Sequence, residues 1–296
     1  VVGCGGIARA HLAAYQADGA VDIVAVHDSN AAAAQAFAQG CGAVVAPSVE
    51  ALAAEHALDA VSICSPPATH LAASRPFIEA GIAVLCEKPL EASVDAAQAL
   101  TGLVKQHGTL FMPAFCHRFH PAIIELKKLI DGGVLGELLL FRNIFGGYFQ
   151  LGNTFRADRA LSGGGALIDN GCHSIDLYRF LMGDPTDVQA HVSTVLQPAP
   201  VEDLGMFNLN IGGKRHGHIV SSYSLKASVS AVEIYGSLGS ATVNYFSADL
   251  PDLICRLDGA AAPVLVDCSK HPDRFTAEVA HFLNCVRGGA ALSLTV

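Results

Sequence analysis

Asp169, His173 and Asp176 lie four and three residues apart in the run from Ser162 to Leu181. At about 100° per residue of α-helix they fall within an arc of about 60°. A helix here would carry two carboxylates and an imidazole on one face. The run reads as helical: Ser162 can cap its first turn, Ile168, Cys172 and Ile175 repeat at helical spacing, and Gly183-Asp184-Pro185 supplies a stop. A histidine beside a carboxylate suits proton transfer, because imidazole gains and loses its proton near neutrality and the carboxylate can orient it. A polar face alone is also what any surface helix shows. The flanks favour chemistry: Gly163-Gly164-Gly165 carries no side chains to block a bulky ligand. Gly171 accepts a helix cost of about 1 kcal/mol, which close packing would explain.

The elements before this run read as apparatus for a dinucleotide. Val1-Val2 is a strand end, followed by Gly3-Cys4-Gly5-Gly6-Ile7-Ala8 and an alanine-rich helix to about Gln16. This is G-x-G-x-x-A: a tight turn at Gly3, an open backbone at Gly5, Gly6 and Ile7 for a pyrophosphate, and a small Ala8 where helix packs on strand. A second strand, Val21 to His27, ends at Asp28, twenty residues beyond Ala8. A carboxylate there accepts from ribose hydroxyls and repels a 2'-phosphate, which favours NAD over NADP. Asp28 is also placed to cap a helix over Ala31 to Gln39, and the two roles can coexist.

Strand and helix then alternate: strand Ala43–Ala46, helix Ser48–His56 and strand Asp59–Cys64, the pattern of a doubly wound parallel sheet. Ligands gather at the carboxyl ends of such strands, which places Ser65, Pro66 and His70 near the cofactor. Strand Ile82–Cys86 runs into Glu87-Lys88-Pro89, a charged pair followed by a residue that fixes the backbone, as a positioned lysine requires. A strand-end salt bridge is the plain alternative.

Composition narrows the class. The 296 residues, 51% hydrophobic and 15% charged, suit two compact, well-buried domains. A formal charge of -9 without a basic cluster beyond Lys127-Lys128 argues against a nucleic-acid surface, and the absence of an apolar run of membrane length argues against a span. Nine scattered cysteines with no C-x-x-C pair suggest reduced thiols and a cytoplasmic location.

Five motifs in order give the chain a resemblance: Gly3 to His11, Ser65-Pro-Pro-Ala-Thr-His70, Glu87-Lys-Pro89, His117-Arg-Phe-His-Pro121 and Gly163 to His173, with Val232 to Ser240 beyond them. The chain resembles the glucose-fructose oxidoreductase and inositol dehydrogenase family (Gfo/Idh/MocA) over nearly its whole length. The resemblance implies an N-terminal Rossmann domain and a C-terminal α/β domain with a large, mostly antiparallel sheet. It implies oxidation or reduction of a carbinol on a sugar, polyol or inositol-like molecule, with catalytic roles on Lys88, Asp169 and His173. It also implies a homodimer or homotetramer associating through the C-terminal sheet. Against the family pattern, the start lacks most of a first strand, and the end at Leu292 to Val296 stops before an expected closing helix and strand.

The pattern changes from alternation to successive strands after a helix ending near Ile130, so the domains are expected at 1–118 and 119–296. Phe207, Leu209 and Ile211, then Ile219, Tyr223 and Leu225, then Val232 and Ile234, form the apolar side of period-two runs. Asn208, Asn210, His216, His218 and Ser222 fall on the other side. Phe149, Asn153 and Phe155 are placed to line a pocket or simply to pack, and Arg118 and Arg156 to meet cofactor, substrate or a surface partner. His117-x-x-His120 and His216-x-His218 read as ordinary surface or core histidines, and no metal is expected.

The leading expectation is hydride transfer at a carbinol carbon, His173 taking the hydroxyl proton, Asp169 orienting it, and Lys88 stabilising alkoxide character on the oxygen. The rivals are an NAD-dependent glycoside hydrolase working by transient oxidation and elimination, and a dinucleotide-binding regulator without turnover.

Overall fold

The computed structural model describes residues 1–152, 154–245 and 250–296. The chain divides into two compact units: Val1–Cys116 with Ala160–Gly163 and Phe275–Val296, and His117–Arg159 with Gly164–Arg274. The expected division at 118 therefore needs correcting, because the chain returns twice to the first unit.

In the first unit the strands are β1 (Ala25–Val26), β2 (Val44–Val45), β3 (Ala60–Ile63), β4 (Ala83–Glu87) and β5 (Phe111–Ala114). β1 pairs with β2 and β3-β4-β5 form a second ladder, all parallel. Val2 stitches the two together, bridging His27 on one side and Ile63 on the other. Its N–H donates to Ser62 and its carbonyl accepts from Cys64. The strand expected over Val21–His27 shortens to Ala25–Val26, since β2 offers only two residues to pair with. β4 is buried at every position, as a parallel strand covered on both faces must be.

The helices of this unit are α1 (Gly6–Asp18), α2 (Ala31–Cys41), α3 (Val49–Glu55), α4 (His70–Glu79) and α5 (Val94–His107). α2 is capped by Asn30, whose side chain accepts from Ala32 and Ala33, so Asp28 is not its cap.

The second unit opens with α6 (Pro121–Asp131) and β6 (Leu138–Tyr148). After a short α7 (Arg159–Ser162) and a π-helical turn over Leu167–Gly171 come α8 (Cys172–Met182), β7 (Asp187–Ser193), β8 (Leu204–Ile211), β9 (Arg215–Ser222), β10 (Ser224–Gly236), β11 (Gly239–Asn244), β12 (Leu253–Leu257) and β13 (Val264–Val266). These strands make one sheet in the order β13-β12-β11-β10-β6-β9-β8-β7, antiparallel except for the parallel β6–β9 pair.

One face of the sheet is the core. Ile123 and Leu126 from α6 and Leu177, Tyr178 and Leu181 from α8 pack onto Phe141, Ile219, Val232 and Ile234. Phe207, Leu209 and Tyr223 are buried as their alternation predicts. Ser222 departs from the expected polar face: it is buried, and its hydroxyl donates to the Asp203 carbonyl at 3.0 Å.

The chain ends in α9 (Arg274–Val286), which buries Val279, Phe282 and Leu283. Arg287, just beyond it, holds Asp18 at the end of α1 through two hydrogen bonds of 3.0 and 2.7 Å. The helical spacing of Phe275, Val279, Phe282 and Leu283 is legible in the sequence, but the expectation of a strand-rich half ending without a closing helix passed over it.

Asp203 is the anchor of the loop after β7. It accepts from the amides of Val195, Leu196 and Gln197 and from the Ser224 hydroxyl, at 2.6–2.9 Å. Burial pushes this carboxyl upward, but the four donors outweigh it and hold it at about 2. The folded value lies below the unfolded one of about 3.9. The contribution is therefore whole above about pH 4 and is lost as pH falls through about 2. Asp203→Asn should lower stability near neutrality by about 2 kcal/mol and flatten the fall in this window, as read by thermal denaturation against pH. A wild-type acid profile in the variant would contradict this.

Candidate active site

The glycine turn has the geometry its spacing predicts. Gly3 adopts φ +85°, and a Cβ there would lie 2.6 Å from the Cys64 carbonyl carbon, so only glycine fits. Ala8 is fully buried and Ile7 packs partly buried beside it. A Cβ on Gly5 or Gly6 would meet nothing within 4 Å. α1 begins here with no side-chain cap and no acidic residue in its first turn. Backbone amides in an open, uncapped helix start suit a diphosphate, so these residues fit a dinucleotide. Asp28 holds the turn from the next strand: Oδ2 accepts from Cys4 N–H and Oδ1 from Asn30 N–H, both at 2.7 Å.

The Ser65 turn is held from within, its hydroxyl and the Pro66 carbonyl both accepting from Thr69 Oγ1. The structure corrects the expected role of His70. Its ring is fully buried and its two nitrogens face the Ser65 and Leu90 carbonyls, so it braces the turn rather than meeting a ligand. Glu87 is also turned inward, 3.1 Å from buried His11. Lys88 follows it as a partly exposed side chain.

The run from Ser162 to Leu181 is not one helix. Ser162 is the last residue of α7 rather than the start of a helix, and Gly163 turns the chain at φ +81°. The π-turn Leu167–Gly171 then leads into α8. In a π-turn the hydrogen bonds span five residues, so angles counted at the α-helical step do not carry across it. Asp169 lies in this turn and His173 just after it.

The three glycines serve packing more than ligand access. A Cβ on Gly163 would strike the Ala92 backbone at 2.5 Å, and one on Gly165 would sit 1.8 Å from the Glu202 carbonyl oxygen. Glu202 occupies the turn: Oε1 accepts from Gly165 and Leu167 N–H at 2.9 and 3.1 Å, and its carbonyl accepts from Ala166. Gly171 is tight as expected, with Leu167 at 3.0 Å and Ser221 and Phe207 close by.

Asp169 Oδ2 accepts from Arg156 Nε at 2.8 Å and from the Tyr223 hydroxyl at 2.6 Å. Burial, with Asp169 beside it, pushes the Tyr223 phenol far above its ordinary range, so it stays protonated and donates. Arg156 also lies over the rings of Phe149 and Phe155. Asn153 lies outside the described residues.

His173 is buried, its ring centroid 4.3 Å from that of His117, which packs in turn on Phe145 and Tyr245. Asp176 separates from this pair. It is buried and takes a bidentate ion pair from Arg118 at 2.7 and 2.5 Å. His120 caps α6, and burial, then the charge of Arg274, presses it down to about 4.

Tyr223 was legible only as an apolar strand position. It is 54 residues from Asp169, and no local pattern joins them. Glu202 and the His117 ring carry no sequence signal of their roles either.

This architecture defines an oxidoreductase of the NAD-binding Rossmann class. Residues 1–115 match the model described as "Oxidoreductase family, NAD-binding Rossmann fold", and residues 123–242 match the GFO/IDH/MocA C-terminal domain. The chain belongs to the Gfo/Idh/MocA family.

It is 28% identical to inositol 2-dehydrogenase of Rhizobium meliloti, over 99% of this chain and 89% of that protein. It is 31% identical to D-xylose 1-dehydrogenase [NADP(+)] of Haloarcula marismortui, over 79% of this chain and 66% of that protein. A levoglucosan dehydrogenase solved with NADH and levoglucosan shares the fold, with TM-score 0.90 at 23% identity over 99% of this chain and 90% of that one.

The glycine geometry predicts a contrast. Gly164→Ala meets only side-chain atoms, the Ile168 Cγ2 methyl at 3.2 Å and the Glu202 carboxylate oxygens at 3.5 Å, which need give by a few tenths of an ångström at most, and should fold with a small loss of stability. Gly165→Ala meets backbone and should cost about 3 kcal/mol or prevent folding. Equal melting temperatures for the two variants would refute this account of the turn.

Proposed function

We propose that this protein is an NAD-dependent dehydrogenase that oxidises a carbinol, or reduces the matching carbonyl, on a sugar, polyol or inositol-like small molecule. The observation that carries this reading is the Asp169–His173 pair at the π-turn. A carboxylate gripped by Arg156 and Tyr223 stands one turn before a buried imidazole. When bound, NAD supplies the hydride acceptor.

His173 takes the proton of the reacting hydroxyl. Its ring is kept from swinging by His117, so the accepting nitrogen is presented in one orientation. Asp169 orients the imidazole or a substrate hydroxyl and stabilises the imidazolium. It can do so as a fixed anion because Arg156 and Tyr223 hold it in place. Lys88 donates to the reacting oxygen and stabilises its alkoxide character.

Asp28 favours NAD over NADP: its carboxylate is already fixed at the glycine turn, and a 2'-phosphate beside it would be repelled. The named relatives support sugar and inositol substrates; one carries NADP(+) in its name and one was solved with NADH. We further propose that two or four copies associate through the outer face of the large sheet, where Met206, Val220 and Ile144 lie on adjacent strands in register. No helix among the described residues is long and apolar enough to cross a membrane, and no disulfide joins its cysteines. Both fit the expected cytoplasmic location.

The test offers NAD or NADP with a panel of aldoses, polyols and inositols, following reduced-nicotinamide absorbance at mildly alkaline pH. Growth with NAD and one substrate class is the expected result. Lys88→Met should then lower turnover about a hundredfold or more while leaving NAD affinity nearly unchanged. Release of aglycone from a chromogenic glycoside, with no net reduction of NAD, would overturn the dehydrogenase reading.

A further inference from the structure

Lys88 is flanked by buried anchors on both sides. Before it, Glu87 is 7% exposed. Its Oε1 lies 3.1 Å from His11 Nε2, and its Oε2 accepts the backbone N–H of Lys88 at 3.1 Å. One carboxylate therefore ties the lysine's own main chain to α1, the helix that starts at the glycine turn. His11 is fully buried, and its Nδ1 lies 3.1 Å from Ser62 Oγ, which is 2.7 Å from the Tyr15 hydroxyl. An ionised Glu87 only accepts, so Nε2 carries a hydrogen toward it whether the imidazole is neutral or charged.

After Lys88–Pro89, Leu90 and Glu91 are held in the same manner. The Leu90 carbonyl lies 3.2 Å from His70 Nδ1, while His70 Nε2 lies 2.9 Å from the Ser65 carbonyl. Glu91 accepts from Leu71 N–H in α4 at 2.5 Å and from Ala92 N–H at 3.2 Å. The main chain either side of the lysine is thus bound to α1, to the Ser65 turn and to α4.

Stability alone does not ask for this construction. A buried ionisable pair carries a desolvation cost that well-packed apolar residues of similar size avoid, and a linked set of polar groups fixes geometry instead. A lysine side chain has about 2 kcal/mol of rotamer entropy and four rotatable bonds, so its ammonium is placed only if its backbone is placed first.

We infer that His11 is a positioning residue for Lys88, acting through Glu87, with His70 bracing the far side. This deepens the proposed function and rests on its reading of Lys88. His11 touches neither substrate nor cofactor. It holds the strand end from which the lysine projects.

The experiment compares wild type with His11→Leu, His11→Gln, Glu87→Gln and Lys88→Met, each checked by thermal melting. The first readout needs no activity: the rate at which an amine-reactive ester labels Lys88, by peptide mass spectrometry, relative to exposed Lys105 on α5. His11→Leu and Glu87→Gln should change that ratio about threefold or more, and His11→Gln, which keeps a donor, should bring it back toward wild type. The second readout is kinetic. In folded His11→Leu, kcat should fall about tenfold with KM for NAD within about twofold, a split that general destabilisation of the glycine turn would not give.

An unchanged labelling ratio in the folded variants overturns the inference, as does a loss confined to NAD affinity. A changed ratio alongside full turnover in Lys88→Met leaves the positioning standing and removes the catalytic reading of Lys88. Should His11→Leu not fold, the ratio is read in Ser62→Ala, which withdraws the hydroxyl behind His11; wild-type labelling there overturns the inference.

Discussion

Carboxylates turned inward onto backbone amides hold the loops of both units. Asp28 takes the amide of Cys4 in the glycine turn, Glu87 that of Lys88, and Glu91 those of Leu71 and Ala92. In the second unit Glu202 takes Gly165 and Leu167, Asp203 takes three successive amides after β7, and Asp252 takes Cys268. An ionised acceptor makes a stronger bond to N–H than a neutral one, and its two oxygens can gather several donors. Part of the chain's acidic excess is therefore internal structure rather than surface charge.

That device explains why the proposed site can be built on loops. A turn without regular secondary structure leaves amides unpaired, and burying them bare is costly. Three of the turns that carry proposed site residues have a carboxylate at their centre. The glycine turn closes on Asp28, the lysine strand end on Glu87 and Glu91, and the entry to the π-turn on Glu202. Asp169 inverts the arrangement, being a carboxylate gripped by side chains, Arg156 and Tyr223. The difference fits its proposed role, since a carboxylate that must act on a ligand cannot have all its lone pairs committed to the backbone.

The two histidine environments differ in a similar way. His11 and His70 are enclosed, each nitrogen matched to a fixed polar atom. His173 is packed against the His117 ring, which restrains its orientation. Restraint by packing suits a group proposed to exchange a proton.

The amino-acid sequence by itself determined the parallel α/β half, the glycine turn, the Asp28 position, the lysine at a strand end and the apolar side of the large sheet. Each of these is a local matter of spacing, alternation or a backbone that only glycine can adopt. Tertiary structure decided the rest. The π-turn divided the expected Ser162–Leu181 helix, because Gly165 must pass the Glu202 carbonyl and Gly171 must fit against Ser221 and Phe207. Asp176 went to Arg118 and Asp169 to Tyr223, pairings across 58 and 54 residues. His70 turned inward to two carbonyls, and α9 joined the first unit through Arg287 and Asp18. Long-range partners leave no periodic trace, because which carboxylate meets which donor depends on where the folded chain brings them, not on their spacing along it.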